Sequence, residues 1–300
     1  MTKRIPQITV CVCTFKRSEM LKQLLAVLTS QRTERRFTYD IVIVDNDKTR
    51  SAETVASEFT SNSEVRVTYC VEPVTNIALA RNAAVSCATG DFVALIDDDE
   101  IPSENWLVEL FRTLSSYPAD AVLGPVESRF QQEPPTWVTK GGFFERPRHA
   151  TGHRVMWPEA RTGNVLLVRK SMELLDPPFR PQFGSGGEDV DFFRRLAEKG
   201  CIFVWSNEAV VHELVPPYRC TRRFLASRAL LRGSNFPKQS GQRGRNIAKS
   251  LVAVPCYTIA LPVLALIGHH IFIRYAMKLL EHSSRLLSLA GVQLTTERQT

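Results

Sequence analysis

Short apolar runs rich in Val, Ile and Leu recur along the N-terminal part of the chain. They alternate with longer stretches whose apolar positions fall three or four residues apart. The first pattern is that of buried strands, the second that of helices with one buried face. Strands are expected over Ile8–Phe15, Tyr39–Val44, Val65–Val71, Asp91–Ile96, Ala121–Glu127, Asn164–Arg169, Cys201–Trp205 and Ala209–Val211. Helices are expected over Ser18–Ser30, Ser51–Phe59, Asn76–Ala88, Pro102–Tyr117 and Val190–Lys199, with Ser18 as an N-cap and Gly90 and Gly200 as stops. Strand and helix in alternation predict an α/β fold: a mostly parallel sheet covered by helices.

Two segments break this rhythm. Ser128–Arg161 has weak periodicity but holds Trp137, Phe143, Phe144 and Trp157. Loops of that length are functional or disordered, and the aromatics fit an ordered substrate-facing loop or a plainly packed one. Ser250–Ile273 carries no fixed charge and reaches the length of a membrane span, although Pro255 and Pro262 interrupt it. A re-entrant or kinked segment fits that run as well as a straight helix does. Beyond it, Ile273, Ala276, Met277, Leu280 and Leu287 recur at helical spacing opposite Arg274, Lys278, Glu281 and Arg285. That is an amphipathic pattern suited to a bilayer surface, or to packing on a protein core.

Composition changes the picture only where charge is uneven. The 300 residues are 44% hydrophobic and 23% charged, with net charge +7. No Asp or Glu occurs from Leu214 to Leu280, whereas Lys and Arg recur from Arg219 to Lys278, Lys238 among them. Such a block seeks an anionic partner, either nucleic acid or an anionic membrane surface. Its junction with the uncharged run favours lipid headgroups and no nucleic acid. The seven cysteines show no CxxC spacing, and Met1 to Gln7 is short and polar. Reduced thiols in the cytosol and no signal peptide are the expectation.

The chemistry gathers at strand ends. Phe92-Val93-Ala94-Leu95-Ile96 runs into Asp97-Asp98-Asp99-Glu100. In open α/β sheets ligands bind beyond the carboxyl ends of the strands. Carboxylates packed there repel unless a cation holds them, and Mg²⁺ or Mn²⁺ suits all-oxygen ligands. An acidic surface turn is the competing account. Strand one ends in Cys13-Thr14-Phe15-Lys16-Arg17 without the glycines of a dinucleotide turn or a P-loop. Asp45 ends strand two, where it suits a base N–H, a ribose hydroxyl or a simple turn. Gly184-Ser185-Gly186-Gly187 leads into Glu188-Asp189 at a helix start. Two carboxylates there serve as dipole partners or as a general base.

Together these segments resemble family 2 glycosyltransferases, which have the nucleotide-sugar-binding GT-A fold. The resemblance runs from Ile8 to about Gly233. It rests on Val12 to Arg17, Val44-Asp45-Asn46, Ala80-Arg81-Asn82, Thr89-Gly90-Asp91, Asp97-Asp98-Asp99 with Pro102, Thr162-Gly163-Asn164, Gly187 to Asp191, and Val211-His212-Glu213. Within that family the chain looks most similar to bacterial exopolysaccharide enzymes of the succinoglycan type, which add glucose to a lipid-linked oligosaccharide.

The resemblance implies an inverting, metal-dependent enzyme at the cytoplasmic face of the bacterial inner membrane. Its donor would be a UDP-sugar, its acceptor a lipid-linked oligosaccharide and its cofactor Mn²⁺ or Mg²⁺. Thr14, Arg17, Asp45, Arg81, Asp97, Asp98 and Asn164 would hold the nucleotide sugar. Asp97, Asp99 and His212 would hold the metal, Asp189 would be the base, and Glu188 would order the acceptor. His212 also fits a satisfied strand histidine. No QxxRW box or multi-span region is present, which favours single-sugar addition over polymerisation. A catalytic domain over residues 1–213 and a basic, apolar membrane-associating region over 214–300 are expected. An inactive assembly scaffold is the alternative, against which the intact Asp97, Asp99 and Asp189 argue.

Overall fold

Four parallel strands build the heart of the sheet: β1 (Gln7–Thr14), β2 (Thr38–Asp45), β3 (Val67–Val71) and β4 (Phe92–Asp97). The computed structural model describes residues 4–235, 243–292 and 294. Lys238 of the basic block lies outside the described residues.

After β4 come β5 (Glu100–Pro102), β6 (Ala121–Leu123), β7 (Val126–Phe130), β8 (Asn164–Val168), β9 (Phe203–Trp205) and β10 (Val211–Val215). The large sheet has the order β3-β2-β1-β4-β8-β6-β9, with β8 antiparallel to β4 and β6. A second sheet has the order β5-β10-β7. The helices are α1 (Ser18–Leu28), α2 (Glu53–Asn62), α3 (Ile77–Cys87), α4 (Trp106–Ser116), α5 (Thr136–Lys140), α6 (Arg169–Met172), α7 (Glu188–Glu198), α8 (Arg222–Ser234), α9 (Arg243–Ile267) and α10 (His269–Leu289).

Alternation along β1 explains the layering. Ile8, Val10 and Val12 pack on one face with Leu21, Leu24, Leu25 and Leu28 of α1 and Trp106 and Leu110 of α4. Cys11 faces the other way, against Ala78, Ala80 and Ala84 of α3 and Phe192, Phe193 and Leu196 of α7. Both faces are covered, as a parallel sheet requires.

Several expected elements take a different form. Ser18 opens α1 as its first residue, not its cap, and its hydroxyl donates to Ser51 O at 2.7 Å. The stretch expected as one helix from Pro102 begins as β5 and turns helical only at Trp106. Gly124-Pro125 splits the strand expected over Ala121–Glu127, since proline cannot donate to the ladder. Cys201 lies outside β9, and the last predicted strand runs on to Val215. The uncharged run is helical through both prolines, breaks at Gly268 and ends in the first turns of α10. Cys70 and Cys87 bring their Sγ atoms to 3.1 Å, a proximity their spacing conceals; both are free thiols.

The chain forms two compact units. One comprises Met1–Glu127, Arg146–Gly184 and Glu188–Leu214; the other comprises Ser128–Glu145, Ser185–Gly187 and Val215–Thr300. In the second unit α8 and α10 meet closely at Gly233, where a Cβ would lie 2.4 Å from Glu281 O. Ser284 Oγ of α10 donates to Leu230 O of α8 at 2.7 Å. Trp137 of α5 sets its ring edge-on to Phe143 and to His269, at 5.5 and 6.1 Å.

Candidate active site

Strand register assembles the site. Thr14 pairs with Asp45 across β1 and β2, and Cys13 with Asp97 across β1 and β4. The polar residues ending three adjacent strands therefore share one edge of the sheet, where ligands of α/β folds bind.

Helix α3 presents the next side chain. Asn76 caps it, accepting from Ala78 N and Leu79 N at 3.0 and 3.2 Å, while its Nδ2 donates to Pro181 O at 2.9 Å. Asn82 clamps the same helix to Phe179 by two bonds, of 2.7 and 2.9 Å. Between these anchors Arg81 is buried. It pairs with Glu188 of α7 through Nη1 and with Asp97 Oδ1 at 3.0 Å through Nη2. Burial works against its charge, but Glu188 and then Asp97 outweigh that and raise its affinity for the proton.

The acidic run divides by environment. The Asp97 side chain is 41% exposed. Asp98 is buried, accepting from Thr14 Oγ1 at 2.8 Å and Arg17 Nη1 at 2.9 Å. Asp99 is also buried and shares Arg17 Nη1 at 3.3 Å. Burial raises the Asp98 carboxyl to about 6; Arg17 pulls it down and Asp99 pushes it up. Glu100 turns back beneath the run, its Oε2 accepting from Asp97 N at 3.1 Å. Burial holds it well above the usual carboxylate range, with Asp97 next in effect. Gly163 makes this possible, because a Cβ there would lie 2.5 Å from Glu100 Oε1. Glu100 was not among the expected site residues; the Thr162-Gly163-Asn164 segment is the trace it leaves in the sequence.

The two carboxylates opening α7 are unlike. Glu188 is buried against Arg81. Asp189 keeps partial access to solvent, with Arg161 Nε 3.6 Å from its Oδ2. Gly186 and Gly187 precede them at φ of +124° and +90°, a backbone only glycine adopts without strain. Asp191, two positions beyond Asp189, is buried and held by Arg195 and Arg194 at 2.9 and 3.0 Å.

Three expected site residues are engaged elsewhere. The Asp45 carboxylate is fully buried in its own loop, accepting from Ala52 N at 2.7 Å and Tyr69 Oη at 3.0 Å. Asn164 is a buried brace: its Nδ2 donates to Pro125 O and Ala209 O at 3.0 and 2.7 Å, and its Oδ1 accepts from Trp106 Nε1 at 2.8 Å. Both amide protons and one oxygen lone pair are thus spent inside the protein, and the side chain is buried, so Asn164 is not presented to the crevice. His212 lies opposite Ile101 on β10 and turns toward Glu127, 3.8 Å from Nδ1. Asp97, Asp99 and His212 are thus not gathered. Among the described residues no three His, Cys, Asp or Glu side chains are close enough to hold an ion.

Residues 9–163 match the family described as Glycosyl transferase family 2. The chain is 34% identical to succinoglycan biosynthesis protein ExoM of Rhizobium meliloti (strain 1021), over 81% of its length and 78% of that protein's. It is 25% identical to glycosyltransferase AglE of Haloferax volcanii, over 70% of this chain and 67% of that one. Among solved structures, mannosyltransferase PcManGT from Pyrobaculum calidifontis, in complex with GDP-Man and Mn²⁺, superposes with a TM-score of 0.64. That match has 18% identity and covers 97% of this chain and 87% of that one. S. aureus TarS 1-349 in complex with UDP gives a TM-score of 0.54 at 15% identity, covering 97% and 94%.

Proposed function

The chain belongs to glycosyltransferase family 2, an inverting family with the GT-A fold, and from that premise we propose that it transfers one hexose, glucose in the leading reading, from a UDP-sugar to a lipid-linked oligosaccharide. The relationship to a succinoglycan biosynthesis protein supports a part in exopolysaccharide synthesis and motivates the acceptor. One observation carries the reading. Arg81 ties the end of β4 to the start of α7, leaving Asp97 and Asp189 the accessible carboxylates of a crevice at the strand ends.

In this reading Thr14, Arg17 and Asp98 form a fixed wall for the nucleotide. Asp45 acts on it through the loop that its carboxylate holds together. Arg81, neutralised on one side by Glu188, keeps its other face on Asp97 and orders the diphosphate end. Asp189 takes the proton from the acceptor hydroxyl as that oxygen attacks the anomeric carbon, with the diphosphate leaving from the opposite face. One displacement inverts the carbon through a transition state of oxocarbenium character. Asp191 is unsuited to that task because two guanidiniums already occupy it.

The donor set fits Mn²⁺ or Mg²⁺ in a particular mode. Such ions bind through one or two carboxylates plus substrate phosphates, not through a closed protein cage. Asp97, 41% exposed although paired with Arg81, offers that carboxylate; Asp99 is buried against Arg17, and His212 turns toward Glu127. Bound there, the ion would offset charge on the departing diphosphate.

We assign catalysis to residues 1–213 and membrane association to 214–300, at the cytoplasmic face of the inner membrane. Asn246–Ile267 supports this as a helix long and apolar enough to cross a bilayer, only 6% buried within the protein. A screen of nucleotide sugars, scoring hydrolysis with and without EDTA, tests the reading. UDP-glucose with Mn²⁺ should turn over, and Asp97→Ala should lose nearly all of it. Hydrolysis by Asp97→Ala in EDTA at the wild-type rate would sink the metal role.

A further inference from the structure

Helices α9 and α10 run antiparallel, as the Ser250–His282 and Tyr257–Tyr275 neighbours show. A cleft of about 300 Å³ lies between them, lined by Lys249 and Tyr257 from α9 and by Lys278, Glu281, His282 and Arg285 from α10. Three fixed cations therefore face one carboxylate, and that carboxylate already accepts from Arg285 Nη2 at 2.9 Å. The positive excess comes from Lys249 and Lys278.

The wall behind them is built. Ser250 is fully buried and lies 2.9 Å from His282 Nδ1, and Arg285 Nη1 reaches the same Ser250 Oγ at 3.4 Å. Burial and then the Arg285 charge hold the imidazole below its ordinary value. Near neutral pH the ring is thus a hydrogen-bonding group and not a further cation. Tyr257 packs against both Tyr275 and His282, at 5.5 and 5.9 Å, and Lys278 Nζ lies 4.9 Å from the Tyr275 ring centre.

The surroundings point to the source of the ligand. The outer face of α9 exposes Leu251, Ile259 and Leu266 at 60%, 77% and 89%. A basic cleft on a helix whose outer face is apolar suits a surface that offers anionic heads and hydrocarbon together. A soluble phosphate has no use for the stripe.

We propose that the cleft between α9 and α10 binds the phosphate group of a membrane lipid, with Lys249 and Lys278 supplying the charge and Arg285, His282 and Tyr257 its fixed wall. This rests on the membrane part of the function proposed above and adds a defined headgroup site to it. The preferred ligand is a phosphomonoester or diphosphate, whose compact charge two lysines can share.

The test uses the full chain and vesicles of phosphatidylcholine containing either phosphatidate or phosphatidylglycerol, adjusted to equal surface charge. The wild type should prefer phosphatidate. Lys249→Gln/Lys278→Gln should bind those vesicles on the order of tenfold more weakly and lose the preference, whereas Lys249→Arg/Lys278→Arg should keep it. Melting temperature and donor hydrolysis should stay unchanged in both variants, which separates loss of the cleft from loss of the fold. Equal wild-type binding to the two vesicle types overturns the proposal, as does a preference that survives in the glutamine variant. Full competition by inorganic phosphate or glycerol phosphate overturns the lipid assignment, because the ligand is then soluble. Binding to neither vesicle would instead bring down the membrane reading itself, and this inference with it.

Discussion

Replacing Arg81 with Met isolates the tie between β4 and α7. The substitution keeps most of the volume and removes the charge. Glu188 then remains buried against α3 without its guanidinium. Removing one partner of a buried ion pair costs about 3–5 kcal/mol, because the other charge is left in a low dielectric. The second contact, to Asp97, adds little to that figure since the Asp97 side chain is 41% exposed and water can replace it. For a domain of this size each kcal/mol lowers the melting temperature by about 2–4 °C, so a fall of roughly 6–20 °C is expected. Adding Glu188→Met should restore most of the stability, because a buried pair exchanged for apolar residues of similar volume is close to neutral. It should not restore activity, since Asp97 and the diphosphate still lack their cation. Thermal unfolding followed by circular dichroism, paired with nucleotide-sugar hydrolysis, reads both quantities. An Arg81→Met protein melting within about 2 °C of wild type would refute the reasoning, as would a double variant no more stable than the single one.

Further outcomes follow from neighbouring side chains. Asp189→Asn should lower kcat roughly a hundredfold or more with little change in donor affinity, while Asp191→Asn should lower stability and leave the folded enzyme active; single-turnover assays with melting curves decide it, and the reverse pattern would move the base to Asp191. Asn164→Ala should cost about 2–5 kcal/mol in urea unfolding, because Trp106 Nε1 and two backbone carbonyls lose their partner, with UDP affinity of the folded protein retained; a large loss of UDP affinity at unchanged stability would return Asn164 to the donor site. His282 is held below its ordinary value by burial and then by Arg285. Its contribution to stability is therefore complete above the unfolded value near 6.5 and is lost as pH falls beneath it. His282→Gln should flatten the decline of melting temperature between about pH 7 and 5, and an unaltered slope would count against a neutral imidazole there.

What the sequence revealed and what it withheld divide along a physical line. The parallel core was legible because β1, β2 and β4 are Val- and Ile-rich runs whose burial on both faces leaves a continuous apolar signature. The end of β4 was legible because four acids directly after such a run mark where a buried strand meets a polar crevice. Orientation was not legible. Asp97, Asp98 and Asp99 are the same residue type, yet Arg17 and Thr14 draw the second inward and Arg17 also holds the third. Those partners lie some eighty residues away in sequence. Asn164 reads as a polar residue opening a strand; only the approach of Trp106 and Ala209 makes it a brace. The short strand β5 was hidden inside a helical pattern because its identity depends on pairing with β10, more than a hundred residues later. Helix α9 continues through two prolines that would ordinarily end one.

Those prolines bear on the proposed membrane contact. Pro255 and Pro262 are seven residues apart, two turns of one helix, and both lie on the exposed side of α9. Neither has an N–H, so the carbonyls of Leu251 and Thr258 lose their helical donors on the face that carries the apolar stripe. In membrane bundles neighbouring helices make good such losses, but α9 has almost no protein cover there. Each bare carbonyl would cost several kcal/mol in hydrocarbon and little where water reaches. In the membrane association proposed above, those two carbonyls would favour a helix lying shallow, near the headgroups, over one crossing the hydrocarbon.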